Sequence, residues 1–346
     1  MNRRTHRACG LFFLRVSSTG ETVVCAADAA DGRLYQFTQL NQPDVSGYAA
    51  HVNLVDRSCL TIDDDNGAQN PNPIKVGGLF DLTAGSVLRG GSKVTKLVGP
   101  LFYSFSLFRV QPLDQADLTI ENISSPQRVA APPFITKASE VKVAFANLLN
   151  YFTTLDASSA TICNGLAPRG ANTAAEFVRQ ATKTTLALSQ IDADIFAFSE
   201  LENCPGATTD LLSRLNGAGS SRIYKAVSIE KGYANIGTDA IKVELVYDSS
   251  KLTLVGSAML TDANVDSTIL SQSIGGVIFN GRSRVPLAAT FNGTQGVITV
   301  VANHFKSKGC SGATGLDADK SDGQGCFNNV RTLSAEALLT WLETSP

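Results

Sequence analysis

The chain changes its pattern of hydrophobic and polar positions near residue 140. Residues 20–113 alternate apolar and polar positions with a period of two, interrupted by Gly-Gly and Gly-Pro pairs, which predicts short strands joined by turns. No helix is predicted among them. About five strands in such a short stretch indicate a small barrel, interpreted as an OB-fold-like β domain. Residues 114–139 are proline-rich and unpatterned, which predicts a linker.

Residues 140–346 instead alternate strands with helices. The run VKVAF predicts a buried strand, residues 172–190 carry apolar positions at helical spacing, and IFAF predicts a second buried strand. The segment AIKVELVYDSSKLTLVG is interpreted as a pair of strands, and VRTLSAEALLTWL as an amphipathic helix. This order indicates a layered α/β domain. Residues 1–19 combine a basic start with a short apolar run, which leaves an export signal and a non-native start equally open.

The overall composition excludes several classes of protein. A hydrophobic fraction of 43% is typical of a globular chain and argues against general disorder. No apolar run approaches the roughly 18 residues that indicate a membrane span. The formal net charge of -2 gives no overall basic field, so any nucleic-acid binding must come from local patches.

The seven cysteines include no C-x-x-C pair, which argues against a zinc ribbon or a thioredoxin-type motif. Cys310 and Cys326 flank a Gly- and Asp-rich loop that a disulfide would close, provided that the compartment is oxidising. Such a bridge would stabilise the fold by roughly 3 kcal/mol. The alternative is two unrelated thiols in a flexible loop. The odd total leaves at least one thiol over.

Polar side chains follow three of the predicted strands. Asn147 follows VKVAF, Glu200 follows IFAF, and Asn303 and His304 follow VITVVA. Ligands of open α/β sheets bind where strands end at their carboxyl edge, so these side chains are candidates for one metal and phosphate site. Each of them alone could equally be a helix cap, a surface acid or a satisfied histidine.

Basic residues surround the histidine in the sequence. Lys306 and Lys308 follow it, and the predicted strand before it carries Arg282 and Arg284. Clustered cations beside a carboxylate suit a polyanionic phosphodiester, although a charge cluster is also typical of a solvated face.

The candidate residues divide the expected chemistry among them. Glu200 would hold a hard divalent cation through oxygen, and the cation would polarise the phosphoryl group. His304 would hydrogen-bond or protonate phosphoryl oxygens, and Asn147 would orient the site.

A series of motifs through residues 141–342 resembles the secreted ExeM/NucH-type nucleases of bacteria. These belong to the endonuclease/exonuclease/phosphatase superfamily that also contains DNase I. The motifs are VKVAFANLLNYF, RGANTAAEFVRQATK, DADIFAFSELEN, GTDAIKVELVY, RVPLAATF, NHFKSKG and DGQGCFNNVR. Residues 30–113 resemble the OB-fold-like domain that precedes the nuclease in that family.

The resemblance implies an α/β fold, a four-layer sandwich of the DNase I type, preceded by the OB-like barrel. It also implies extracellular hydrolysis of nucleic acid, with DNA favoured over RNA, using Mg²⁺ or alternatively Mn²⁺ or Ca²⁺. By position in the motifs, Glu200 corresponds to a metal ligand and His304 to a catalytic histidine. Asn147 corresponds to a residue that orients metal or phosphate, and Asp239 to a residue near the phosphate or the histidine.

The sequence also departs from the family pattern. The G-D-x-N motif and the final D-H motif, which would follow Trp341, are absent. Pro168 stands where a cysteine often precedes R-G-A, which leaves Cys163 without its expected partner. We therefore expect a chain truncated at both ends and impaired in catalysis, because catalytic groups that act as a unit are strongly non-additive.

A non-catalytic nucleic-acid-binding remnant is the alternative from another functional class. It would rest on a modest positive excess in the barrel stretch and on aromatic residues that could stack bases, although these aromatics could equally be core. The cations are Arg89, Lys93, Lys96 and Arg109, and the aromatics are Tyr35, Phe37, Phe102 and Tyr103. A phosphomonoesterase or sphingomyelinase on the same fold is disfavoured by the OB-like partner domain.

Overall fold

The computed structural model describes residues 5–7, 12–16, 22–26, 35–67, 74–82, 88, 92–121 and 140–344, except 158, 220 and 295. Two compact units are present, one formed by Met1–Pro132 with Lys320–Gln324 and the other by Pro133–Asp319 with Gly325–Pro346. Arg89, most of the predicted linker and most of residues 1–19 lie outside the described residues. Within the described part of the chain, no helix has the length and apolar character needed to cross a membrane.

The N-terminal unit contains mainly short strands. They are β1 (Thr5–Arg7), β2 (Phe12–Val16), β3 (Thr22–Ala26), β4 (Cys59–Ile62), β5 (Ile74–Val76), β6 (Phe80–Leu82), β7 (Lys93–Ser104), β8 (Leu107–Val110) and β9 (Leu118–Ile120). Its helices are α1 (Phe37–Leu40) and α2 (Val45–Ser58).

Five of these strands pair in a closed ring. β7 pairs with β2, β2 with β3 and β3 with β4, all antiparallel. β4 then pairs with β8 in parallel, and β8 returns to β7 as an antiparallel hairpin. Buried apolar side chains such as Val24, Ile62, Val94 and Leu97 fill one core cluster. The OB-like interpretation of this ring stays a prediction.

The prediction that residues 20–113 contain no helix is wrong. α2 spans 14 residues, and the carboxylate of Asp44 caps it by accepting a hydrogen bond from the backbone N–H of Gly47. None of its residues is buried, yet Val45, Tyr48, Val52 and Val55 recur at helical spacing, which the interpretation of this stretch as short strands did not take into account. Within the predicted strand GRLYQFTQL, Phe37–Leu40 form the single turn of α1, and residues 32–34 lie outside the described residues.

The C-terminal unit is a mixed α/β fold. Its strands are β10 (Val143–Tyr151), β11 (Ile195–Glu202), β12 (Tyr224–Ala226), β13 (Ile241–Asp248), β14 (Thr253–Met259), β15 (Leu287–Gly293) and β16 (Gly296–Ala302). Its helices are α3 (Ala174–Ile191), α4 (Pro205–Gly217), α5 (Val227–Glu230), α6 (Ser267–Leu270) and α7 (Asn328–Thr344).

These strands form two sheets with a core on each side of the first. The first sheet has the order β10-β11-β13-β12 and the second the order β14-β15-β16. Ile195 and Ala197 of β11 belong to a core cluster with residues of β15 and α7, whereas Phe196 and Phe198 belong to a cluster with residues of α3 and α4. Successive side chains of a strand point to opposite faces, which explains how one apolar run serves both cores.

β10 does not match the prediction of a buried strand. It lies at the end of the first sheet, and its Val143 and Phe145 are exposed. β10 is therefore an edge strand, and every second residue of its apolar run faces outward.

The first sheet is irregular at the ends of β10 and β11. The pairing register shifts between Asn147 and Tyr151 and again between Phe198 and Leu201. Leu149, Asn150 and Glu200 adopt positive φ angles of 53°, 56° and 60°. Such bulges redirect side chains out of the regular alternation and are frequent beside active sites. They place Asn147 and Glu200 side by side at one edge of the sheet.

Candidate active site

Glu200 lies between an amide and an imidazole. Its Oε1 accepts a hydrogen bond from Nδ2 of Asn147 at 2.9 Å, and Nε2 of His304 lies 3.7 Å from the same oxygen. The side chains of Glu200 and His304 are 21% and 22% exposed, so both remain accessible from solvent. The three residues that the sequence placed at separate strand ends are thus brought together.

His304 is held beside Arg284. The backbone N–H of Arg284 donates to the carbonyl of His304 at 3.0 Å. Burial lowers the pKa of the His304 imidazole, and the guanidinium of Arg284 lowers it further, against the opposite effect of Glu200 and Asp239. The ring is therefore neutral at neutral pH. Its Nδ1 is buried and has no hydrogen-bond partner among the described residues.

Asp239 joins two arginines. Its carboxylate lies 3.0 Å from a terminal nitrogen of Arg169 and 3.1 Å from one of Arg284. This pairing occupies both carboxylate oxygens, so Asp239 serves to orient guanidinium groups. The arrangement sets two cations close to His304 and leaves Glu200 as the carboxylate that Asn147 orients.

Asn203 is a site-supporting residue that the sequence reasoning missed. It is fully buried, and its Nδ2 donates to the carbonyls of Ile236, Gly237 and Asp239 at 3.1, 3.2 and 2.9 Å. Its Oδ1 accepts from the backbone N–H of Ile236 at 2.8 Å. The signal available in the sequence was an amide directly after the acidic end of β11. Asn203 fixes the loop that carries Asp239.

A disulfide supports the same loop. Cys163 is joined to Cys204, with a Cα–Cα distance of 5.8 Å, so the expectation that Cys163 lacks its partner is wrong. Asn164 next to it donates to the carbonyl of Asp239 at 3.2 Å. The partner lies 41 residues away, at the N-terminus of α4, where only the folded sheet brings it close.

Two further disulfides are present. Cys310 and Cys326, the pair identified in the sequence, are joined with a Cα–Cα distance of 5.1 Å. Cys25 and Cys59, directly opposite each other on β3 and β4, are also joined. Cys9, the remaining cysteine, lies outside the described residues.

The lysines of the NHFKSK segment differ in their surroundings. Lys306 is half-buried, and burial lowers its pKa, as do the nearby cations led by Arg284. Its Nζ lies 4.8 Å from the ring centre of Phe327. Lys308 is exposed farther along, where its carbonyl accepts from the backbone N–H of Cys326. Lys306 thus belongs to the cationic group around Asp239, whereas Lys308 lies beside the disulfide.

The nucleic-acid-binding candidates of the N-terminal unit differ in their exposure. Phe37 is buried, and Arg109 is buried against Asp63 at 3.0 Å. Phe102 and Tyr103 are exposed on β7, at 37% and 62%. Phe105 and Phe108 nearby are exposed as well, at 88% and 54%, so this hairpin presents several rings that a base could contact.

The residues around Glu200 suit a magnesium-type ion. Glu200 supplies one carboxylate, which Asn147 orients, and Mg²⁺ characteristically binds one or two carboxylates while keeping waters and substrate phosphate oxygens as its other ligands. The described residues hold one group of three potential metal ligands, Cys310, Asp319 and Cys326, but both cysteines are in a disulfide and have no thiolate to offer. The donor set at Glu200 therefore fits a hard divalent cation.

Neither a protein-family model nor a curated protein matches this chain. Among solved structures, it is similar to an endonuclease/exonuclease/phosphatase from Bacteroides vulgatus, at 12% identity over 59% of this chain and 60% of that one, with a TM-score of 0.35. It is also similar to D. rerio TDP2 complexed with a single strand DNA product, at 11% identity over 60% and 56% of the two chains, with a TM-score of 0.33.

A third similar structure is a mannosyl-6-phosphatase from Bacteroides thetaiotaomicron, at 13% identity over 59% of each chain and a TM-score of 0.33. The chain spans less than two thirds of the length of each of these proteins. A likeness at these TM-scores carries no conclusion about the reaction, which has to be argued from the site itself.

Proposed function

We propose that the C-terminal unit hydrolyses phosphodiester bonds of nucleic acid, with DNA as the favoured substrate, using Mg²⁺ or alternatively Mn²⁺ or Ca²⁺. The observation that carries the proposal is the convergence of Glu200, Asn147 and His304 from the ends of three strands. A carboxylate, an amide and a neutral imidazole beside paired arginines form a donor set for a metal and a phosphate together.

Glu200 would hold the cation, which when bound supplies charge stabilisation for the phosphoryl oxygens. Asn147 fixes the carboxylate, so that Glu200 needs little reorganisation to bind. His304, whose imidazole pKa is lowered by burial and by Arg284, would hydrogen-bond a phosphoryl oxygen.

The cations next to His304 would bind the polyanionic substrate. Arg169 and Arg284 are oriented by Asp239, and Lys306 lies close enough to Arg284 for its pKa to be lowered. Arginine pairs with phosphate in a planar, two-pronged geometry, and lysine acts as a point charge. The local patch provides the positive field that the whole chain, at net charge -2, lacks.

An extracellular location forms part of the proposal. The three disulfides support it, because disulfides persist in oxidising compartments and are rare in the cytosol. The OB-like ring of the N-terminal unit, with Phe102 and Tyr103 exposed, would add a contact for nucleic acid.

Nicking of supercoiled plasmid by the purified chain in Mg²⁺ or Mn²⁺ tests the proposal. Glu200→Gln and His304→Ala should each reduce nicking at least about 100-fold, whereas Glu343→Gln, a matched change at an exposed position of α7, should leave it unchanged. Cleavage that survives chelation or Glu200→Gln would contradict the metal assignment. Folded protein that binds DNA without cutting it would contradict the enzymatic proposal.

A further inference from the structure

A cavity of about 440 Å³ opens in the C-terminal unit between residues 274–282 and the loop closed by the Cys310–Cys326 disulfide. Ile274, Val277 and Phe327 give it apolar walls, and Arg282 and Lys306 bring positive charge. Its volume lies in the range of small-molecule sites, which are mostly apolar with a few placed polar groups. The residues assigned to the phosphodiester site do not use this space, apart from Lys306.

The cavity is close in sequence to the candidate active site, on the two chain segments that carry Arg284 and His304. The backbone N–H of Arg284 donates to the carbonyl of His304, and the backbone N–H of Lys306 bonds to Oγ of Ser283 at 3.1 Å. Arg282 and Lys306, which line the cavity, are therefore each two residues from Arg284 and His304. Two residues of chain span at most about 7 Å, so both places can contact one short substrate.

The two cations of the cavity are held differently. Arg282 lies 3.0 Å from the buried carboxylate of Asp317, which neutralises it and fixes it in place. Lys306 belongs to no ion pair among the described residues, and its ammonium lies over the ring of Phe327. A half-buried ammonium without a carboxylate partner, among other cations, favours the approach of an anion.

We propose that this cavity binds the nucleoside adjacent to the scissile phosphodiester, with Lys306 contacting the phosphate between them. The proposal rests on the proposed function and adds to it a binding site for the nucleoside next to the cleaved bond. Ile274 and Val277 would contact a flat base, and Lys306, whose ammonium lies over the buried ring of Phe327, would supply the cation beside it. Binding of the neighbouring nucleoside would then hold the scissile bond in register with Glu200 and His304.

Filling the cavity provides the test. Ser311 is exposed on its rim, so Ser311→Trp should occupy the space without disturbing the core. The matched control is Thr253→Trp, which fills a cavity of about 370 Å³ lined by Lys225, Glu230 and Tyr247. The ratio of kcat/KM for decathymidylate to kcat/KM for methyl 4-nitrophenyl phosphate is compared among the variants and the unchanged chain.

We expect Ser311→Trp to lower this ratio about tenfold or more, since loss of one base contact costs a factor of that order, and Thr253→Trp to leave it unchanged. An unchanged ratio in Ser311→Trp overturns the nucleoside site. If the unchanged chain still cleaves both substrates, the proposed function is unaffected by that result. Val277→Trp serves as a second filling variant if Ser311→Trp does not fold, as judged by its thermal melting.

Titration of the metal-free chain with thymidine 5′-monophosphate separates the two proposals. We expect binding that weakens about tenfold in both Ser311→Trp and Lys306→Met. If the chain cleaves neither substrate, the proposed function fails, and this titration alone decides the cavity. Equal binding by all variants, or no binding by the unchanged chain, overturns the nucleoside site.

Discussion

Asn147 holds the carboxylate of Glu200 across two parallel strands. Its Nδ2 donates to Oε1 of Glu200 at 2.9 Å, while its own Oδ1 accepts from the backbone N–H of Leu149 at 2.8 Å. The amide is thus fixed at both ends, by the bulge of its own strand and by the acid of the next. Glu200 is presented in one orientation before any ligand arrives.

Loss of the Asn147 amide should lower Mg²⁺ affinity and cleavage while changing the stability of the fold little. Asn147→Ala is expected to lower cleavage and Mg²⁺ affinity by about 10- to 100-fold, the usual effect of removing a group that orients a metal ligand. Because Asn147 is exposed, the midpoint of thermal unfolding should change little. Mg²⁺ titration of activity together with a melting curve checks this. A large loss of stability with unchanged Mg²⁺ dependence would refute the orienting role.

Asn203 is expected to affect stability and activity together. Asn203→Ala leaves the carbonyls of Ile236 and Gly237 without their buried donor and should lower the free energy of unfolding by about 2 kcal/mol or more. Since the same side chain holds the Asp239 loop, kcat should fall in the folded variant as well. Urea denaturation and steady-state kinetics at a temperature where the variant is folded measure the two effects. An unchanged kcat would show that Asn203 stabilises the fold but does not position the site.

The disulfides allow an internal comparison of loop length. The Cys163→Ala/Cys204→Ala variant opens a separation of 41 residues and should lose about 4 kcal/mol, by the entropy of loop closure. The Cys310→Ala/Cys326→Ala variant opens 16 residues and should lose about 3 kcal/mol. Chemical denaturation of both double variants compares them. The reverse order would show that strain or unfolded-state structure outweighs the entropy of closure.

Asp194 should make the C-terminal unit sensitive to acid. Burial raises the pKa of its carboxyl, but hydrogen bonds from the Lys142 backbone, Lys251 and Arg222 outweigh this and lower the pKa below the usual 3.8. A lowered carboxyl pKa contributes stability that is present above about pH 4 and is lost as the pH falls through the folded-state value. Asp194→Asn should therefore cost about 3 kcal/mol at pH 7 and progressively less toward pH 2.5.

Urea denaturation across that range measures the effect, with Asp156→Asn as a control at an exposed aspartate. A constant difference between Asp194→Asn and the unchanged chain at every pH would show that shape, not charge, accounts for the loss.

Strong local patterns predicted much of the C-terminal unit. The helix expected over 172–190 corresponds to α3, because Thr173 caps it and its apolar stripe packs on the sheet. β11 corresponds to the run IFAF because a strand buried on both faces is apolar throughout. Phe145 shows the limit of the same rule, since an identical apolar pattern lies on an exposed edge.

What the sequence did not reveal depends on contacts between distant segments. The segment AIKVELVYDSSKLTLVG was interpreted as a pair of strands and forms β13 and β14. These two strands lie in different sheets, because each pairs with strands from distant parts of the chain. Cys204 meets Cys163 in the segment between β10 and α3, and Asn203 meets its partners in the loop between α5 and β13, so only the folded chain brings them together. α2 was missed because its apolar residues at helical spacing, Val45, Tyr48, Val52 and Val55, lie in a stretch that was interpreted as strands of period two.

The positive φ angle of Glu200 lowers the stability of the fold, whereas its carboxylate is needed for the proposed function. A residue other than glycine at a φ of 60° costs about 1 kcal/mol, and glycine would relieve it. Random mutagenesis followed by screening for heat resistance alone is therefore expected to enrich glycine at position 200. The selected variants would be more thermostable but would lack the Glu200 carboxylate. A screen for more robust variants has to score both properties, or it will remove the carboxylate on which the site is built.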